Sequence, residues 1–199
     1  MPTGVALRDP RQQLFAAAER VLVRDGPHAL TSRAVTTEAA CAKGVLHRHF
    51  ADFDDFLAAL VRDRISQLDG QAAALLGAAG TGTVTGNLTA ALTGLFGPVA
   101  LSIVALITFR DDLRARLRET TPTGVPLLAE AAAMLTAYLA AEQALGRLAA
   151  DADVATLAPT LLGAGHLLFA AGDPAPPGPG TVRRMVTTVL ASAVPEPPS

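Results

Sequence analysis

Tryptophan is missing from this 199-residue chain, and tyrosine, cysteine and lysine each occur once, as Tyr138, Cys41 and Lys43. A single cysteine closes no intrachain bridge, which excludes a disulfide scaffold and points to a reducing compartment. The first residues, Met1 to Arg11, carry charges and no apolar core, so they do not read as a secretory signal and the expected location is the cytoplasm. Charge is missing as well from Gly70 to Phe109, where no Asp, Glu, Lys or Arg occurs. A membrane-spanning helix needs roughly 20 apolar residues. This stretch is interrupted by Gly77, Gly80, Gly82, Gly86, Gly94, Gly97 and Pro98, so it reads as core helices and no membrane partner is expected.

Apolar residues make up 50% of the chain and the net charge is only -2, which excludes disorder throughout and provides material for a core. The length suits one compact domain, or a small module fused to a larger one. Acids and bases are unevenly spread. Residues 1–50 carry seven basic groups against four acids, and the remainder carries nine against fourteen. A basic head on an acidic body is the footprint expected when only the head meets a polyanion.

The apolar spacing is helical throughout. Leu14, Ala17, Ala18, Val21 and Leu22 share one helical face, and Gly26-Pro27 ends that helix. Thr31 is placed to cap a second helix to about Ala39, and Lys43 to His49 forms a third with Leu46 and Phe50 inward. Asp52 can cap a fourth, about Phe53 to Leu68, with Asp55 at its third position. Further helices are predicted at about 83–96, 98–119, 125–146, 154–171 and 182–194, separated by breaks at Thr120–Gly124 and Gly172–Gly180. The expected fold is all-α, with about nine helices and no sheet. Residues 1–50 form the predicted head, 51–194 the body, and 195–199 a disordered tail.

Thr31 to Phe50 has the layout of a helix-turn-helix, two short helices joined by a tight turn, the second entering the major groove of DNA. Lys43 falls in the first turn of that reading helix, Gly44 removes a side chain where helix and groove would collide, and Val45, His47, Arg48 and His49 follow. Thr31, Ser32 and Arg33 can add phosphate contacts through hydroxyls, guanidinium and backbone N–H groups. His47 and His49 cannot share a metal ion, since residues two apart on a helix point about 200° apart. No metal, no cofactor and no catalytic combination is read from the chain, and an enzyme is not expected.

These residues resemble the TetR/AcrR family of bacterial transcriptional repressors, whose pattern the chain matches at Thr31, Arg33, Ala34, Val35, Glu38, Ala39, Lys43, Gly44, Leu46, His49 and Phe50. The likeness is specific for roughly residues 8–68. It implies that Thr31, Lys43 and His47 contact the DNA backbone while residues around Gly44 and Val45 approach bases, and that the protein works in the nucleoid. The departures are Ala40 for the usual turn glycine, Ala42 for a capping Ser or Thr, His47 for tyrosine, and Phe53 for lysine among the acids Asp52, Asp54 and Asp55. They suggest the alternative, a ligand-binding or scaffolding protein of the same fold that has lost DNA binding.

The resemblance also implies a body that pairs with a second copy and holds a small effector. Leu157, Leu161, Leu162, Gly165, His166 and Phe169, with Met185, Val186, Val189 and Leu190, are the expected homodimer interface, two helices from each copy making four. Its reading helices would lie roughly 34 to 36 Å apart and require a near-palindromic double-stranded operator. Phe96, Ile103, Leu106, Ile107, Phe109, Met134, Leu135 and Tyr138 are the expected pocket lining, suited to a mostly apolar effector. Release of the operator then needs an effector that binds two body conformers unequally, moving the fourth helix and respacing the heads.

Overall fold

The computed structural model describes residues 9–42, 44–119, 124–171 and 175–194. Lys43 and the tail 195–199 therefore lie outside the described residues. Among those described there are no strands, one 3-10 turn (Pro27–Ala29) and ten helices: α1 (Pro10–Asp25), α2 (Ser32–Glu38), α3 (Gly44–His49), α4 (Phe53–Gly77), α5 (Val84–Leu95), α6 (Pro98–Phe109), α7 (Asp111–Leu117), α8 (Leu128–Ala144), α9 (Val154–Phe169) and α10 (Pro179–Val189).

Local chemistry sets most of these ends. Thr31 accepts a hydrogen bond from the Ala34 amide at 3.1 Å, and Asp52 accepts one from the Asp55 amide at 2.6 Å, so both predicted caps form. Asp55 replies by accepting from the Ala51 amide at 3.1 Å. Three expected helices differ most in extent, the last of them, expected over 182–194, running from Pro179 to Val189. The fourth helix runs on past Leu68 to Gly77, because Gly70 is exposed and its cost of about 1 kcal/mol is spread over a helix of 25 residues. The predicted helix 98–119 is two helices, broken where Arg110 adopts an extended backbone (φ -118, ψ 99).

The head packs α1 against α2 and α3 around Leu14, Val21, Val35, Leu46 and Phe50, all buried. Phe15, Phe50 and Phe56 form a ring cluster with centroids 5.1 to 5.9 Å apart, so the start of α4 completes the head's core. In the body α8 lies against α4 and α9, and α10 against α5 and α9. α6 reaches the head, packing on α1 and the 3-10 turn, while α7 packs on α4. No single helix among the described residues is long and apolar enough to cross a membrane, and the apolar pair α5 and α6 is bent by 64°.

The turn between α2 and α3 closes as a Schellman motif. The Cys41 amide donates to the Thr36 carbonyl at 3.0 Å and the Ala40 amide to the Thr37 carbonyl at 3.1 Å, which places Ala40 in the left-handed region (φ 51). An alanine there carries strain of roughly 1 kcal/mol that a glycine does not. Ala40→Gly is therefore expected to raise the thermal midpoint by about 2 to 4 °C, and a melt in which it falls would show that the turn relaxes differently.

Candidate DNA-binding head and its hinge

Seven basic residues occur in the first fifty, but the fold spends several of them inside the head. Arg20 Nε donates to Glu38 at 2.7 Å and Arg24 Nη1 donates to the same carboxylate at 2.8 Å, tying α1 to the end of α2. Their hydrogen bonds, Arg20's the stronger, hold the Glu38 carboxyl below the usual carboxylate range. Arg11 lies over the Phe50 ring at 4.6 Å. Arg33 and Arg48 are both exposed, and among the described residues neither has a hydrogen-bond or ion-pair partner. With Arg11, which is set over a ring and paired with no acid, these two carry the unpaired positive charge of the described head.

The other predicted contacts divide by exposure. Thr31, Gly44 and His47 are exposed, Val45 and His49 are half-buried, and Leu46 at 0% exposure fixes which face of α3 points inward. Gly44 has nothing within 4 Å of where a Cβ would stand, which leaves the start of α3 open to a close approach. Ser32 requires a correction. Its Oγ is buried and finds no partner, so the hydroxyl read as a phosphate donor is shut away from the surface and only the backbone at that position can serve. Cys41 is half-buried and its burial pushes the thiol up, away from the reactive thiolate.

The acids at the start of α4 have partners that the sequence does not reveal. Arg116 of α7 meets Asp52 through two hydrogen bonds, 3.1 and 3.2 Å, and Arg110, between α6 and α7, meets Asp54 at 3.3 Å. Arg110 also lies over the Phe53 ring at 5.6 Å, so the residue standing where the resemblance expects lysine receives a cation from the body. The Asp55 amide, followed by Arg116, holds the Asp52 carboxyl below the usual range. Beside this clasp Phe109, 66% exposed, packs its ring 5.4 Å from that of His28. Phe109 thus sits at the head–body junction and not in a body pocket, because the break at Arg110 turns the end of α6 outward.

The rest of the expected pocket lining is core. Ile103, Leu106, Ile107, Leu135 and Tyr138 are 0% exposed and Met134 is buried, where α6 packs on α1 and α8 on α4 and α9. Tyr138 belongs to a polar knot. Its hydroxyl donates to Glu142 at 2.6 Å and accepts from Asn87 at 3.0 Å. Phe96 is the member of the set that borders a cleft, one of about 670 Å³.

The expected dimer residues split too. Leu161, Leu162, Gly165, Val186 and Leu190 are buried within their own chain. Leu157, His166, Phe169, Met185 and Val189 are half-buried. Gly165 is small for an internal reason: a Cβ there would stand 2.8 Å from Cε2 of Phe96. The outward stripe of α9 is instead Thr156, Thr160, Gly163 and Leu167, the last 73% exposed. Apolar periodicity locates a helix's buried side without saying whose surface covers it.

Residues 14–60 match the family model of bacterial regulatory proteins, tetR family. The whole chain is similar in fold to solved structures. FadR from Bacillus subtilis in complex with stearoyl-CoA matches with a TM-score of 0.71 at 15% identity, over 91% of this chain and 98% of that one. A TetR-family member from Streptomyces coelicolor matches at 0.63 with 23% identity, over 94% and 99%. The multidrug binding protein EbrR complexed with malachite green matches at 0.63 with 22% identity, over 94% and 98%. No curated protein matches the chain in sequence.

Proposed function

We propose, for a chain whose residues 14–60 match the tetR-family model and whose fold is similar to that of solved tetR-family structures, that it is a DNA-binding transcriptional repressor released by a small, mostly apolar effector. The observation that carries this reading is the face left open by the head. Thr31, Arg33, Gly44, His47 and Arg48 point to solvent, while Leu46, Val35 and Phe50 seat the two helices on α1. Such a face offers exposed donors to phosphates and a narrow helix start to a groove. Lys43 extends it by its place in the sequence.

A second copy would dock on the outward stripe of α9 and on the exposed side of α10, where Arg183 and Thr187 lie. Two heads presented by a symmetric pair read an inverted repeat whose halves lie roughly 34 to 36 Å apart. The stearoyl-CoA of FadR and the malachite green of EbrR favour a ligand-responsive body. The clasp favours a working head. Asp52, Asp54 and Asp55, which alone suggest repulsion of DNA, are occupied by Arg116, Arg110 and the Ala51 amide. With this role the chain acts by occupancy of DNA and not as an enzyme, and its place is at the nucleoid.

Selection of bound fragments from random genomic DNA tests the reading. An inverted repeat is expected among the enriched fragments. No enrichment at low salt would instead favour a scaffolding or ligand-binding protein that has kept the fold.

A further inference from the structure

The cleft bordered by Phe96 lies where the turn between α5 and α6 meets the end of α9 and the start of α10. Thr93, Phe96, Pro98 and Leu101 form one side; Phe169 and Pro176, Pro177 and Pro179 face them. Its volume of about 670 Å³ lies in the range of small-molecule sites and exceeds the clefts of about 540 Å³ beside α1 and about 420 Å³ between α4 and α5. Its floor is fixed in advance. Phe96 is 3% exposed, its ring lies 5.6 Å from that of Phe169 at 30° and 5.9 Å from that of His166 edge-on, and the missing side chain of Gly165 admits it. A rigid aromatic floor lowers the ordering cost of binding.

The lining also restricts the ligand's chemistry. None of its side chains ionises, and the hydroxyl of Thr93 is already donating to the Thr89 carbonyl at 2.8 Å. A charged group placed among these rings would lose its hydration without gaining a partner. Rings and proline faces instead favour a flat, apolar molecule that can stack. We propose that this cleft is a binding site for a flat, uncharged, largely aromatic ligand. As the effector site it rests on the ligand-responsive reading above. α6 starts at the cleft with Pro98 and runs roughly 18 Å to Phe109 and Arg110 at the head, so a ligand seated at one end bears on the clasp at the other.

The test is a titration of the full chain with Nile red, a flat neutral dye, followed by its emission and without DNA. Saturable binding of one dye per chain with a blue shift is expected. Thr93→Trp and Pro176→Trp, which fill the cleft from exposed positions, should each weaken it at least tenfold with the thermal midpoint unchanged. Ala74→Trp, which fills the separate cleft between α4 and α5, should leave it intact. Absence of saturable binding, retention in both filling variants, or loss in Ala74→Trp overturns the site. A dye that binds here without changing the affinity for selected DNA would sink the switch and leave the site standing. Operator binding by a chain whose cleft fails these tests would remove the site, and the switch with it, and leave the DNA-binding reading standing.

Discussion

Replacing Arg33 and Arg48 together by alanine is expected to weaken binding to any DNA duplex on the order of a thousandfold at physiological salt, and to flatten the slope of log affinity against log salt by about 3.6. Both guanidiniums are exposed and have no protein partner among the described residues, so each is available to a phosphate. A symmetric pair brings four such contacts, and each phosphate neutralised contributes about 0.9 to the slope. Arg20 supplies the control. It is spent on Glu38 at 2.7 Å, so Arg20→Ala should leave the slope unchanged. A double variant with the parent's slope, measured by gel shift between 50 and 200 mM salt, would remove the two arginines from the interface.

The second large effect concerns stability. Arg147→Ala is expected to cost about 3 kcal/mol, because it strands the carboxylate of Glu142 in a site with 0% exposure. Arg147 Nη1 lies 3.4 Å from Glu142 Oε2, and Nη2 donates to the Gly82 carbonyl at 2.7 Å. The same oxygen Oε2 accepts from the Gly80 amide at 3.3 Å, and Oε1 takes the Tyr138 hydroxyl. The guanidinium is itself partly exposed, which places the cost at the low end for a broken buried pair. Burial, and then the bond to Glu142, push the Tyr138 hydroxyl well above the usual phenol range, so it remains a donor at any working pH. Denaturant unfolding of Arg147→Ala, and of the double variant with Glu142→Leu, tests the account. The double variant should recover part of the loss, and a single-variant loss below about 1 kcal/mol would overturn the account.

What the chain's order revealed and what it concealed follow from range. The caps at Thr31 and Asp52 involve one side chain and an amide three residues on, so spacing alone exposes them. The inward side of α3 was equally plain from Leu46 and Phe50. The break at Arg110 carries no proline or glycine, so nothing local announces it, and the partner that Arg110 meets there, Asp54, stands 56 residues earlier. The knot of Asn87, Tyr138, Glu142 and Arg147 is likewise assembled from separate segments, so a lone tyrosine in an apolar helix reads as pocket lining from the sequence alone. Gly165 looked like room for a second copy and is room for Phe96. In each case the residue stands out in the sequence and the neighbour that fixes its role lies far along the chain.

The bonds joining Asp52 to Arg116 and Asp54 to Arg110 are half-exposed, and pairs so placed are worth about 0 to 1 kcal/mol each. The clasp is therefore a trim on the junction and not its fastening: Phe56 of α4 is built into the head's core and α6 lies along α1, so cutting both bonds should leave the head seated where it is.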